Sequence, residues 1–314
     1  MIYVLYLCVA FGVTMLSIKA ADYVDWIDKK TNLSGAFIGG IMLSAVTSLP
    51  ELFTSISSTL MLDEPGLCIG NILGSDLFNL CVIATLVLVA FKEFSKSKIS
   101  KSHAIVLIMI LAAYVAIVAN MNGILGFSIC TISITSIIIL ICYGVSFKYL
   151  SGEDGEVDEN SDQIALSLKQ IVIRFVIVSI GIIVLSIMIS YITDNISDRL
   201  NFGKGIAGAL FMGIATSLPE VSSSIALFKK KNYDIAIGNI IGSNIFNLAI
   251  LSLVDIIYIK GGVYDFSDPK TVNLLIFGFI ATILSFVVLK VKNKAIRIAS
   301  LVGIVLSYVC FLAL

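Results

Sequence analysis

Residues 44–58 read SAVTSLPELFTSISS and residues 213–227 read GIATSLPEVSSSIAL; each is followed by a second matching stretch, GLCIGNILGSDLFNL at 66–80 and DIAIGNIIGSNIFNL at 234–248. Glu51 and Glu220 lie 169 residues apart and Asn79 and Asn247 168, so the match runs through some 35 residues with a one-residue slip. Chance similarity between apolar helices does not produce such constant offsets, and the chain reads as an internal duplication.

Working outward, the surroundings of the repeat are uniformly apolar. Of the 314 residues, 58% are hydrophobic and 13% charged, with a mean hydropathy of +1.04. These values place the chain in the lipid bilayer. Net charge is formally zero, and no basic patch is interleaved with aromatics, which excludes nucleic acid as a partner. Six cysteines (Cys8, Cys68, Cys81, Cys130, Cys142, Cys310) stand singly, with His103 the sole imidazole, so soft-metal and redox chemistry are not expected. The N-terminal MIYVLYLCVAFGVTML has no preceding basic region or small-residue cleavage site and reads as a retained first span.

A span needs about 20 apolar residues to cross about 30 Å of hydrocarbon. Ten segments qualify: 2–20, 34–61, 66–91, 103–119, 123–149, 170–192, 202–229, 233–258, 271–290 and 295–314. SGEDGEVDENSDQ (151–163) cannot bury a core and reads as a solvated acidic linker, without an EF-hand pattern. The expected organisation is a first five-helix repeat at 1–149, a cytoplasmic linker at 150–168 and a second repeat at 169–314. Seventeen of the 21 lysines and arginines fall in alternate connections, leaving Arg199, Lys204, Lys260 and Lys270 in the others. The basic loops are therefore expected in the cytoplasm, with both termini outside. Five spans per half is an odd number, so the second copy enters the membrane inverted. The fold class is an all-α membrane protein of ten transmembrane helices in two inverted five-helix repeats.

Each TSLPE sits near the middle of its span, which puts Glu51 and Glu220 at the bilayer midplane. A charge there costs about 2.5–3.5 kcal/mol on insertion scales and marks an ion path or proton relay. The alternative, a glutamate paired with a buried lysine or arginine, lacks its partner, since basic residues lie only near span ends. Pro50 and Pro219 each remove a backbone donor and free a carbonyl. Such a break at membrane depth is tolerated where it lines a cavity or is buried in protein, and the freed carbonyls can bind cations. Thr47, Glu51, Ser55 and Ser58 share one helix face, as do Thr216, Glu220 and Ser223 or Ser224. In the following spans Ser75 with Asn79, and Ser243 with Asn247, form i, i+4 pairs, and the glycines of GNILG and GNIIG permit close helix approach. Two carboxylates with hydroxyl, amide and carbonyl oxygens make an all-oxygen set that suits a hard, flexibly coordinated cation, calcium before magnesium.

These motifs resemble the calcium/cation antiporter superfamily, specifically its sodium/calcium exchanger and related prokaryotic branch, over most of the chain. The resemblance implies that Glu51, Glu220, Thr47 and Thr216 coordinate Ca2+, that Ser48, Ser217, Ser75 and Ser243 form flanking sodium sites, and that Asn79 and Asn247 line the centre. It implies Ca2+ exchange against Na+ or H+ by alternating access, the first and sixth spans sliding over the remaining bundle of an integral protein of a prokaryotic plasma membrane. Inorganic cations and lipid are the implied partners, with no cofactor; no paired catalytic aspartates and no Ser/His or HExxH arrangement are present in the sequence, so enzymatic activity is not expected. Three departures stand out. Exchangers often carry aspartate where this chain has Asn247; the glycine usual before the TSLPE threonine is Val46 and Ala215; and Asp76 stands where the second copy has Asn244. Asp76 is the asymmetric element: a third carboxylate supporting sodium, a separate proton site, or a residue with a structural role. A calcium-permeable channel and an antiporter for another divalent cation are the alternative readings.

Overall fold

The computed structural model describes residues 2–31, 33–61, 63, 65–129, 131–152, 166–200 and 213–314. Among them, nine helices are long and apolar enough to cross a membrane. These are α1 (Ile2–Lys30), α2 (Gly35–Met61), α3 (Pro65–Val89), α4 (Ser102–Met121), α5 (Ile134–Ser151), α6 (Leu168–Leu200), α8 (Tyr233–Ile257), α9 (Pro269–Lys290) and α10 (Lys294–Ala313), and a shorter helix, α7 (Leu218–Lys229), precedes α8. α7, preceded by a single turn at Gly213–Thr216, is the described part of the expected span 202–229; residues 201–212 lie outside the described residues. So does most of the acidic linker, at 153–165.

The halves exchange packing partners. α4 and α5 pack on α8, whereas α9 and α10 pack on α3, and α1 runs along α6 and α7. α3 and α8 thus become the enclosed centre. Their small and polar positions face protein, while Val115, Ile141 and Ile177 face outward, as lipid requires.

α2 is not a regular helix. It comprises Gly35–Phe37, a π-helical stretch Ile38–Leu43, Ser44–Thr47, a break at Ser48 (φ −93°, ψ 5°), Leu49–Ile56 and a second π-helical stretch Ser57–Met61. Pro50 occupies the first turn after the break, where a missing donor costs little. Ser217 (φ −85°, ψ 1°) breaks the other copy in the same way before Pro219. π-helical turns of this kind gather at functional sites.

Three boundaries differ from those expected, one being the end of α6, which runs to Leu200 where 192 was expected. The apolar run 123–149 does not form one span: Gly123 adopts φ 74°, and a hairpin pairs Ser128–Ile129 with Ile132–Ser133, so α5 begins only at Ile134. Asn120 holds the turn, its Nδ2 donating to Leu125 O (3.3 Å), Ser133 Oγ (3.1 Å) and Thr135 Oγ1 (3.0 Å). α1 continues ten residues past 20, because its polar end is held by ion pairs: Asp25 meets Lys29 at 3.1 Å and Lys230 at 3.3 Å.

Candidate functional site

The breaks at Ser48 and Ser217 turn each serine toward the other copy's acid. Ser48 Oγ donates to Glu220 Oε1 at 2.9 Å, and Ser217 Oγ donates to Glu51 Oε1 at 3.2 Å. The contact is reciprocal, joining TSLPE to TSLPE across the two halves. Glu51 and Glu220 are fully buried, and among the described residues neither has a basic partner.

The other anticipated residues take different partners. Ser243 Oγ reaches Glu220 Oε1 at 3.4 Å, beside Ser48. Ser75 Oγ donates instead to Gly213 O (3.3 Å). Thr47 and Ser223 bond back to their own helices, at Leu43 O (3.1 Å) and Pro219 O (2.7 Å), the usual habit of hydroxyls in membrane helices. Asn79 and Asn247 meet Asn244 and Asp76 in a buried cluster at the α3–α8 contact.

A pair not singled out from the sequence, Asn71 and Asn239, ties these elements together. Asn239 Nδ2 lies within bonding distance of Ser223 Oγ and Ser224 Oγ (both 3.1 Å), and its Oδ1 accepts from Thr47 Oγ1 (3.4 Å). Asn71 repeats the pattern, donating to Ser55 Oγ (3.3 Å) and accepting from Thr216 Oγ1 (3.5 Å). Each asparagine follows the first glycine of GNILG or GNIIG, so a polar residue duplicated at the same offset was the available signal. Replacing Asn239 with alanine removes the donor to buried Ser224 Oγ and the tie to Thr47 on α2, and is expected to cost about 1–3 kcal/mol. A lower unfolding temperature of the detergent-purified protein reads that loss.

After these bonds, five buried carboxylate and amide oxygens have no donor among the described residues: Glu51 Oε2, Glu220 Oε2, Asp76 Oδ2, Asn79 Oδ1 and Asn247 Oδ1. Buried acceptors without donors are costly, and oxygens in excess of donors are what a cation or proton satisfies. No group of three His, Cys, Asp or Glu able to hold a metal occurs among the described residues, so a cation here must draw on hydroxyl and amide oxygens as well as carboxylates. His103 is engaged elsewhere, with Nε2 2.9 Å from Asp234 Oδ1. The five described cysteines are free.

Known proteins share this architecture. The chain is 24% identical over 309 residues to the sodium/calcium exchanger MaX1 of Methanosarcina acetivorans, covering 82% of this chain and 84% of that one. It is 27% identical over 223 residues to an uncharacterized membrane protein of Methanocaldococcus jannaschii, covering 71% and 70% respectively. A structure of the sodium-calcium exchanger NCX_Mj soaked with Na+ and Sr2+ superposes with a TM-score of 0.74 at 22% identity, covering 100% of this chain and 99% of that one; at that identity the likeness concerns the fold. The sodium/calcium exchanger protein family matches residues 1–149 and 170–314, and the chain belongs to that family.

Proposed function

We propose that the protein is a secondary cation antiporter that exchanges Ca2+ against Na+ or H+, binding its cargo between the two TSLPE motifs. The observation that carries this reading is the reciprocal serine–glutamate contact, 2.9 Å one way and 3.2 Å the other. It brings two buried carboxylates into one polar region while leaving Oε2 of each without a donor. Ser48, Ser217, Ser243, Thr47, Thr216, Ser75, Asn79 and Asn247 supply the neutral oxygens. Calcium accepts such a mixed set of 6–8 oxygens. The MaX1 and NCX_Mj relatives are named for sodium/calcium exchange, which agrees with this cargo.

Charge explains obligatory exchange. One Ca2+ neutralises two glutamates, as do two protons, whereas an unloaded doubly charged site is too costly to enclose at membrane depth. The carrier therefore interconverts when loaded and stalls when empty. In the proposed arrangement ten spans form two inverted repeats with both termini outside, and α1 and α6, which lie together, move as a unit across the rest.

Calcium-45 uptake into proteoliposomes, driven separately by outward sodium and proton gradients, tests the reading. Saturable uptake that requires one of these gradients is expected, and the gradient that works names the counter-ion. Uptake that proceeds down the calcium gradient alone, without counter-transport, would mark a channel.

A further inference from the structure

The asymmetric residue Asp76 belongs to a four-membered cluster whose hydrogen bonds all run in one direction. Asn244 Nδ2 donates to the backbone carbonyl of Asp76 at 3.0 Å. A backbone carbonyl only accepts, so this bond fixes which way the Asn244 amide faces. Its Oδ1 is thereby turned to Asn79, whose Nδ2 donates to it at 3.1 Å. Asn247 Nδ2 donates to Asp76 Oδ1 at 2.9 Å. All four side chains are buried, Asn244 being 1% exposed and the others 0%.

Both central amides thus spend an N–H on the cluster, and both leave their oxygen without a donor: Asn79 Oδ1 and Asn247 Oδ1 are orphaned. An asparagine rotated by half a turn would present N–H groups instead, and repel a cation. Four asparagines could satisfy one another in more than one sense. A carboxylate oxygen opposite Asn247 and a carbonyl opposite Asn244 remove that freedom.

We propose that Asp76 and Asn244 are positioning residues that hold Asn247 and Asn79 with their oxygens toward the transported cation, Asp76 acting as an acceptor for Asn247 and not as a ligand. This rests on the reading of Asn79 and Asn247 as cation ligands. The mismatch between halves, Asp76 against Asn244, then has a physical role, since one half supplies the acceptor that sets the direction of the cluster.

The proposal is tested by equilibrium binding of calcium-45, with calcium as the only probe, to the purified full-length protein in detergent. Partners that orient a ligand change metal affinity by about 10–100-fold when removed, and Asp76→Ala and Asn244→Ala are each expected to weaken binding by about 10-fold. Asp76→Asn leaves four asparagines that no longer fix one direction, and is expected to lose part of the affinity, short of the about 10-fold loss in Asp76→Ala; if Asp76→Ala does not fold, this variant carries the test, and wild-type binding by Asp76→Asn overturns the proposal. In double-mutant cycles, adding Asp76→Ala to Asn247→Ala, or Asn244→Ala to Asn79→Ala, is expected to cost nothing further, because the oriented group is already gone. Additive losses overturn the proposal and make Asp76 a ligand or an independent element. Wild-type binding by Asn247→Ala and Asn79→Ala overturns it differently, by removing the amides from the site, while Glu51→Gln reports separately on the glutamate site itself.

Discussion

Glu51→Gln and Glu220→Gln are each expected to reduce calcium-45 uptake at least about 100-fold, the factor that corresponds to about 3 kcal/mol. The substitution is nearly isosteric. Ser217 donates to Oε1 of Glu51 and Ser48 to Oε1 of Glu220, and a glutamine carbonyl can accept those same bonds. What changes is Oε2, which has no donor in either residue: the amide puts an N–H pair where a cation needs an acceptor and removes half of the charge that balances a divalent ion. The fold should not suffer. Each glutamate lacks a basic partner among the described residues, so the amide breaks no ion pair and strands no opposite charge. In calcium-free buffer both variants are therefore expected to unfold at or above the wild-type temperature while transport is lost. The two variants should behave alike, because the contact between the halves is reciprocal. Wild-type uptake by either one would sink the assignment of the site.

The duplicated TSLPE sequence made much of this legible. Hydropathy located the spans, proline located the breaks, and the absence of internal lysine or arginine left the glutamates without a partner. The direction of the serines was not legible. Helical spacing puts Thr47, Glu51 and Ser55 on one face, but the break at Ser48 (ψ 5°) rotates Ser48 toward the opposite acid, and only the three-dimensional meeting of two chain segments shows which acid that is. Asn71 and Asn239 were hidden between glycines that claimed attention for packing, although two fully buried amides at matching offsets are harder to explain than small residues are. The hairpin before α5 escaped for another reason: GILGFSICTISIT at 123–135 is apolar enough to pass as membrane helix, and the positive φ of Gly123 with the side-chain bonds of Asn120 turned the chain instead. Hydropathy reports where a segment can lie. It does not report whether its backbone closes as a helix.

Gly242→Val is expected to destabilise the folded transporter by about 3 kcal/mol or more, at or beyond the upper end of overpacking costs. Gly238 and Gly242 are one turn apart on α8 and face Gly39 and Gly40 in the π-helical part of α2. A Cβ on Gly242 would fall against the Gly40 carbonyl, one on Gly39 against the Ile235 carbonyl, and one on Gly238 only 3.0 Å from the Gly40 nitrogen. The obstructing atoms at Gly39 and Gly242 are backbone, so no rotamer change relieves them and the two helices must separate. Separation draws Thr47 away from Asn239, a bond already 3.4 Å long, and moves the α2 break that aims Ser48 at Glu220. Stability and cation binding should therefore fail together, unlike in Glu51→Gln, where only binding fails. Gly242→Ala should lie between wild type and valine in unfolding temperature and in the calcium concentration that half-saturates uptake. Gly144→Ala on α5, where an added Cβ meets no described atom within 4 Å, is the control and should be neutral or slightly stabilising, since alanine is favoured over glycine in a helix by about 1 kcal/mol. A well-folded Gly242→Val protein with wild-type calcium affinity would show that the site does not depend on the approach of α2 to α8.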